Sequence, residues 1–154
     1  MIINDDEIEV VGSQILTDLK KFLLNKKVEI YLNTHNDYTI IFRADNINYL
    51  FQLESECCSE SWFSDIDNPE VLNGYSVTDI IMRNLDSYNI YDGRTRQVYD
   101  MVYGYSLVTG MGYCDIIFRN SSNGYYGGSM EYVTTLSDEE LNNSYKQITS
   151  DWKA

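Results

Sequence analysis

A chain of 154 residues, 44% hydrophobic and 23% charged, is long enough for one domain with a real core and has the composition of an ordinary globular protein. Its net charge of −13, with no Lys or Arg between Arg43 and Arg83, argues against direct contact with nucleic acid or with an anionic membrane. Three cysteines make no disulfide framework, and the acidic N-terminus has no basic segment and no long apolar run. A reduced, cytoplasmic protein without signal peptide or membrane span is the expectation.

The first predicted element is a helix over 13–25. Ser13 follows Gly12 as a candidate N-cap, and Ile15, Leu16, Leu19, Phe22 and Leu23 share one helical face. Lys20 and Lys21 near its C-terminal end suit the helix dipole. Strand signals come next. Val28, Ile30 and Leu32 alternate with polar or amphipathic neighbours, and the segments 38–43 and 47–53 are separated by Ala44-Asp45-Asn46. This pattern predicts an antiparallel meander. The segment 71–86 is ambiguous, and its part from Val77 to Leu85 fits either strand or helix, while 88–95 reads as a loop. A second strand block covers 98–108 and 113–119, and Asn123-Gly124 predicts a turn that lets 125–134 complete a hairpin.

The C-terminal segment carries a strong local signature. Ser137 and Glu140 form an S-x-x-E capping box, with Leu136 and Leu141 at the staple positions. Leu141, Tyr145, Ile148 and Trp152 then predict an amphipathic helix over 138–150 docked on the sheet. The expected fold is therefore a single α+β domain over 1–154. Its sheet region, 28–134, is largely antiparallel with about six strands, and the N-terminal helix and the capped C-terminal helix pack on it.

The chemistry concentrates between Glu54 and Glu70, which holds six carboxylates, Cys57, Cys58 and no basic residue. A reactive thiolate needs a positive neighbour, whereas Glu56 and Glu60 flank these cysteines. Cys57, Cys58, Cys114 and the single histidine, His35, match no zinc spacing. Asp65-x-Asp67 does not extend to a calcium loop, because Pro69 falls at the fifth position. No phosphate loop, nucleophile elbow or H-E-x-x-H helix is present, so no cofactor, no metal and no catalytic residue is expected. Structural cysteines and an acidic contact surface are favoured. The candidate partner-binding residues are Glu54, Glu56, Glu60, Trp62, Asp65, Asp67, Glu70, Tyr125 and Tyr126, where carboxylates meet basic side chains and aromatic rings supply contact area.

Two short segments carry a resemblance. Glu56-Cys57-Cys58-Ser59-Glu60-Ser61-Trp62, followed by Asp65-Ile66 and Leu72-Asn73-Gly74, pairs with Phe118-Arg119 and Ser122 through Tyr126. Together they resemble an uncharacterised β-rich domain family of phages and prophages over residues 38–134, with the two terminal helices as additions. Gly127-Gly128 departs from the commoner pattern, in which a polar residue is more usual. The resemblance implies a phage context and no established activity. In that context the expected function is a non-enzymatic acidic protein that occludes a basic nucleic-acid-binding surface of a host defence protein, as anti-CRISPR inhibitors do. It would act in the host cytoplasm. A toxin-neutralising immunity protein and a thiol-dependent enzyme using Cys57 or Cys58 are the alternatives.

Overall fold

The computed structural model describes residues 5–55, 59–85, 99–122 and 128–154. Their order is α1 (Asp5–Leu23), β1 (Glu29–Asn33), β2 (Thr39–Ala44), β3 (Ile47–Ser55), β4 (Glu60–Asp67), a 3-10 helix (Pro69–Leu72), β5 (Asp79–Asn84), β6 (Tyr99–Thr109), β7 (Gly112–Ser122), β8 (Gly128–Leu136), α2 (Asp138–Ser144), β9 (Tyr145–Gln147) and β10 (Trp152–Lys153). The strands form two antiparallel sheets, in the orders β8-β3-β2-β1-β9 and β10-β4-β7-β6-β5.

This corrects the expected one-sheet α+β fold: the protein is mostly β, with two sheets sharing one core. That core draws Leu19 and Leu23 from α1, Phe42 and Phe51 from the first sheet, and Phe63 and Phe118 from the second. The predicted β1–β2–β3 meander is present, in continuous register from Glu29↔Arg43 through Ala44↔Ile47. Asp45 and Asn46 both take positive φ, 49° and 62°. Such a pair makes a two-residue hairpin whose twist matches the strands, and Asp and Asn tolerate it better than other side-chain-bearing residues.

Three further expectations change. The first helix begins at Asp5, so Ser13 lies within it and is not its cap; a sequence opening Asp-Asp-Glu itself favours a helix N-terminus. The segment 128–136 does not complete a hairpin on β7. It crosses to the first sheet and pairs with β3, from Asn48↔Leu136 to Ser55↔Gly128. The capped C-terminal helix is only Asp138–Ser144. Its cap is as predicted, since Glu140 N–H donates to Ser137 Oγ at 3.2 Å. The residues of the expected stripe then divide: Tyr145 lies in β9 beside β1, Trp152 lies in β10 beside β4, and Ile148 enters the core. Asn142-Asn143-Ser144 is a run of poor helix formers, and strand pairing captures the chain from Tyr145 onward.

A bulge in β4 decides which acids face where. The register with β7 passes from Phe63↔Phe118 to Asp65↔Ile117, leaving Ser64 as the extra residue. Phe63 and Ile66 therefore both face the core, although they are three apart, and Asp65 and Asp67 point to the other side of the sheet. That other face is covered as well: Trp62, Arg119 and Val102 lie side by side across three strands, each 1% exposed or less.

Phe51 touches Phe22, Phe42 and Tyr132, with ring centroids 5.5 to 6.5 Å apart. Phe51→Ala is expected to cost about 3–5 kcal/mol in urea unfolding. Val133→Ala, at a residue 47% exposed, is expected to stay within about 0.5 kcal/mol.

Candidate functional site

The turn between β1 and β2 is built by two asparagines. Asn33 Oδ1 accepts from the backbone N–H groups of His35 and Asn36, at 2.7 and 3.1 Å. Asn36 Oδ1 accepts from the N–H groups of Tyr38 and Thr39 and from Thr39 Oγ1, at 2.9 to 3.1 Å. Side chains of this kind reproduce backbone turn bonds and fix the loop. The turn then links the sheets. Tyr38 C=O accepts from Leu53 N–H of β3, and Asp37 C=O accepts from Phe63 N–H of β4, both at 2.8 Å.

That double attachment brings the end of β3 beside the start of β4. Between them opens a notch of about 470 Å³, lined by Asp37, Tyr38, Gln52, Leu53, Glu54, Glu60 and Ser61. Asp37, Glu54 and Glu60 are accessible at its rim, and Tyr38 is 42% exposed. Leu53 and Ser61 are buried beneath them. Ser61 Oγ is held from behind by the amide of buried Asn120, which donates at 2.9 Å. Three carboxylates and a phenol ring on a firm base can receive a lysine or arginine: the acids pair with its charge, and the ring covers its stem or guanidinium.

The predicted contact residues separate into groups. Glu54 and Glu60 meet in this notch, with Asp37 and Tyr38, which sequence reading did not single out. Glu56, Tyr125 and Tyr126, like Cys57 and Cys58, lie outside the described residues. Trp62 is 1% exposed and offers a partner no surface. Asp65 is fully buried. Its Oδ2 accepts from Ser64 Oγ at 2.8 Å, and Lys153 Nζ lies 3.7 Å from its Oδ1, so it fastens β10 to the sheet. Asp67 stands opposite Asp115, and Asp151 accepts from Asn68 N–H at 2.7 Å. Partial burial, then Asp65, Asp151 and Asp115, hold the Asp67 carboxyl above its ordinary range, with Lys153 opposing. Glu70 is exposed on the 3-10 helix, away from the notch.

Cys114 is a free, fully buried thiol. Burial pushes its pKa far up, and Asp115 and Asp67 push it further. His35 is exposed in the polar turn. Among the described residues no group of three or more His, Cys, Asp or Glu side chains is placed to hold a metal ion. No described helix is long and apolar enough to cross a membrane.

Comparison with known proteins gives a family match to "Domain of unknown function (DUF7448)" over residues 21–132. The span overlaps residues 38–134, where the resemblance lies, and leaves most of α1 and everything after Tyr132 outside. The chain is also similar to "Uncharacterized protein L278" of Acanthamoeba polyphaga mimivirus, 28% identical over 122 residues, covering 76% of this chain and 87% of that protein. No solved structure matches this chain.

The carboxylates and the thiol each make a testable outcome. Because the folded pKa of Asp67 is raised, the folded state binds more protons than the unfolded one between the ordinary carboxylate range and the raised value. Asp67 thus makes stability rise as pH falls through that window. Asp67→Asn is expected to be more stable than the wild type near neutral pH, and urea titrations should show the gap narrowing on acidification. Native Cys114 is expected to resist a thiol reagent at neutral pH until the protein is unfolded, read by mass spectrometry of the labelled peptide.

Proposed function

Since the chain belongs to the DUF7448 family, for which no function is described, we propose from its own side chains that it is a non-enzymatic binding protein whose acidic notch receives basic residues of a partner protein. The observation that carries this reading is the meeting of Asp37, Glu54 and Glu60 around Tyr38 where the two sheets join. A net charge of −13 adds a long-range field that speeds encounter with a basic surface and opposes phosphate backbones. The mimivirus relative supports a virus-borne family. In that setting the partner is a host protein with a basic nucleic-acid-binding face, and the mechanism is occlusion: the acids take the place of phosphates, and the bulk of the two-sheet body blocks the groove. The site of action is the host cytoplasm. Occlusion of this kind requires no cofactor, no metal and no covalent step.

Affinity capture from a host lysate, followed by mass spectrometry across a salt series, tests this. Capture of a basic partner is expected to weaken steeply as salt rises. Glu54→Lys combined with Glu60→Lys is expected to weaken it at least about tenfold, or about 1.4 kcal/mol. Glu139→Lys, on exposed α2, leaves it nearly unchanged. A partner held equally at all salt concentrations, or equally by the double variant, overturns the electrostatic reading. Capture of a toxin by the same notch would transfer the mechanism to an immunity protein.

A further inference from the structure

We propose that two copies of this chain associate through the outer edge of β5, pairing antiparallel about a two-fold axis at Ile81. This goes beyond the notch and does not depend on it.

Among the described residues β5 has β6 on one side and no strand on the other. Of the remaining sheet edges, β9 and β10 are three and two residues long, and β8 is interrupted by a bulge at Val133. Such short or bulged edges resist strand addition. β5 is neither that short nor bulged, and α1 packing against it shields it only in part. Its six residues stay in unbroken register with β6 from Asp79↔Val108 to Asn84↔Tyr103. Beside the exposed charge of Asp79 it presents two exposed apolar side chains, Ile81 at 38% and Met82 at 40%. Tyr113, 47% exposed, lies on the row that runs from Asp79 across Val108.

The pattern along the strand is complementary to itself. Asp79, Ile81 and Arg83 alternate on one face, with the acid two residues before Ile81 and the base two residues after it. In an antiparallel pair centred on Ile81, each Asp79 stands opposite the Arg83 of the second copy, whose guanidinium lies over its own Tyr113 ring, 5.3 Å from the centroid, and the two Ile81 side chains meet. Any other centre loses these matches. A two-fold interface requires such self-complementarity.

The backbone agrees with that centre. Leu85 N–H donates to Val102 C=O, directly opposite in register. By antiparallel alternation Arg83, Ile81 and Asp79 direct their peptide groups at β6, so those of Ile80 and Met82 point outward. Ile80 N–H, which within one copy donates to Asp79 Oδ1 at 2.8 Å, passes on pairing to the Met82 carbonyl of the second copy, so that the pairs Ile80 with Met82 and Met82 with Ile80 are the hydrogen-bonded ones. The Ile81 and the Asp79–Arg83 pairs fall at the non-hydrogen-bonded positions, where side chains approach most closely.

Charge favours this end for self-association. The chain is acidic overall, yet α1 brings a lysine to β5. Lys20 Nζ lies 3.6 Å from Asp79, and Lys27 pairs with Ser76 just before the strand. Two copies meeting here keep their notches out of the contact.

Sedimentation equilibrium of the full chain over about 1–200 µM tests the proposal, with circular dichroism confirming that each variant is folded. The wild type is expected to be a concentration-dependent dimer. Asp79→Arg places like charges opposite one another and should raise the dissociation constant by about tenfold or more. Adding Arg83→Asp to it should restore the dimer. Ile81→Cys should form a reducible disulfide-linked dimer under mild oxidation, while Val133→Cys on the β8 edge should not. A wild type that stays monomeric throughout the range overturns the proposal. So does a dimer that survives Asp79→Arg and leaves Ile81→Cys unlinked, since it uses another surface.

Discussion

The pairing of β3 with β8 is the constraint on which the rest of the structure depends. It joins residues 47–55 to residues 128–136 and closes the first sheet over a core that the second sheet also fills. A sheet with one apolar face must bury it against another layer. Here each sheet supplies that layer to the other, with α1 completing the enclosure through Leu19, Leu23 and Phe22. Partly buried Phe22 and Tyr132 pack against buried Phe51, so helix, strand and crossing strand are held by the same rings.

The notch is a consequence of that closure. β3 and β4 belong to different sheets, and the β1–β2 turn bonds to both. The carbonyls of Tyr38 and Asp37 make those bonds, which places Glu54 and Glu60 in reach of the same space. The acidity of 54–70 thereby divides into two kinds. Glu54 and Glu60 remain at the surface, where a visitor can reach them. Asp65 is taken into the fold by the Ser64 bulge and set against Lys153, which secures the C-terminal strand.

Local signals were legible in the sequence. Val28, Ile30 and Leu32 announced β1 by alternation, and Asp45-Asn46 announced the hairpin. Ser137 and Glu140 announced the start of α2, because each signal involves residues within a few positions of one another. Long-range pairing was not legible. The segment 125–134 comes soon after β7 and has strand composition, so a hairpin was the simplest reading, and nothing nearby reveals that β3 offers an edge to pair with. Leu141, Tyr145, Ile148 and Trp152 recur at helical spacing, but β9 and β10 bury parts of the same set without a helix. Trp62 read as a surface anchor because strand periodicity assumes one wet face, whereas both faces of the second sheet are covered near it. Asp37 and Tyr38 escaped notice because their role comes from the sheet junction and not from their neighbours in sequence.

The central claim is that the acidity is focused at the notch and is not a diffuse solubilising charge. A titration of the labelled protein with a short Lys- and Arg-rich peptide, followed by amide NMR shifts, tests it most directly. The account predicts saturable shifts concentrated at Asp37, Tyr38, Gln52, Leu53, Glu54, Glu60 and Ser61. Shifts of equal size at scattered exposed acids such as Glu29, Glu70 and Glu139, with no saturation at the notch, would contradict it.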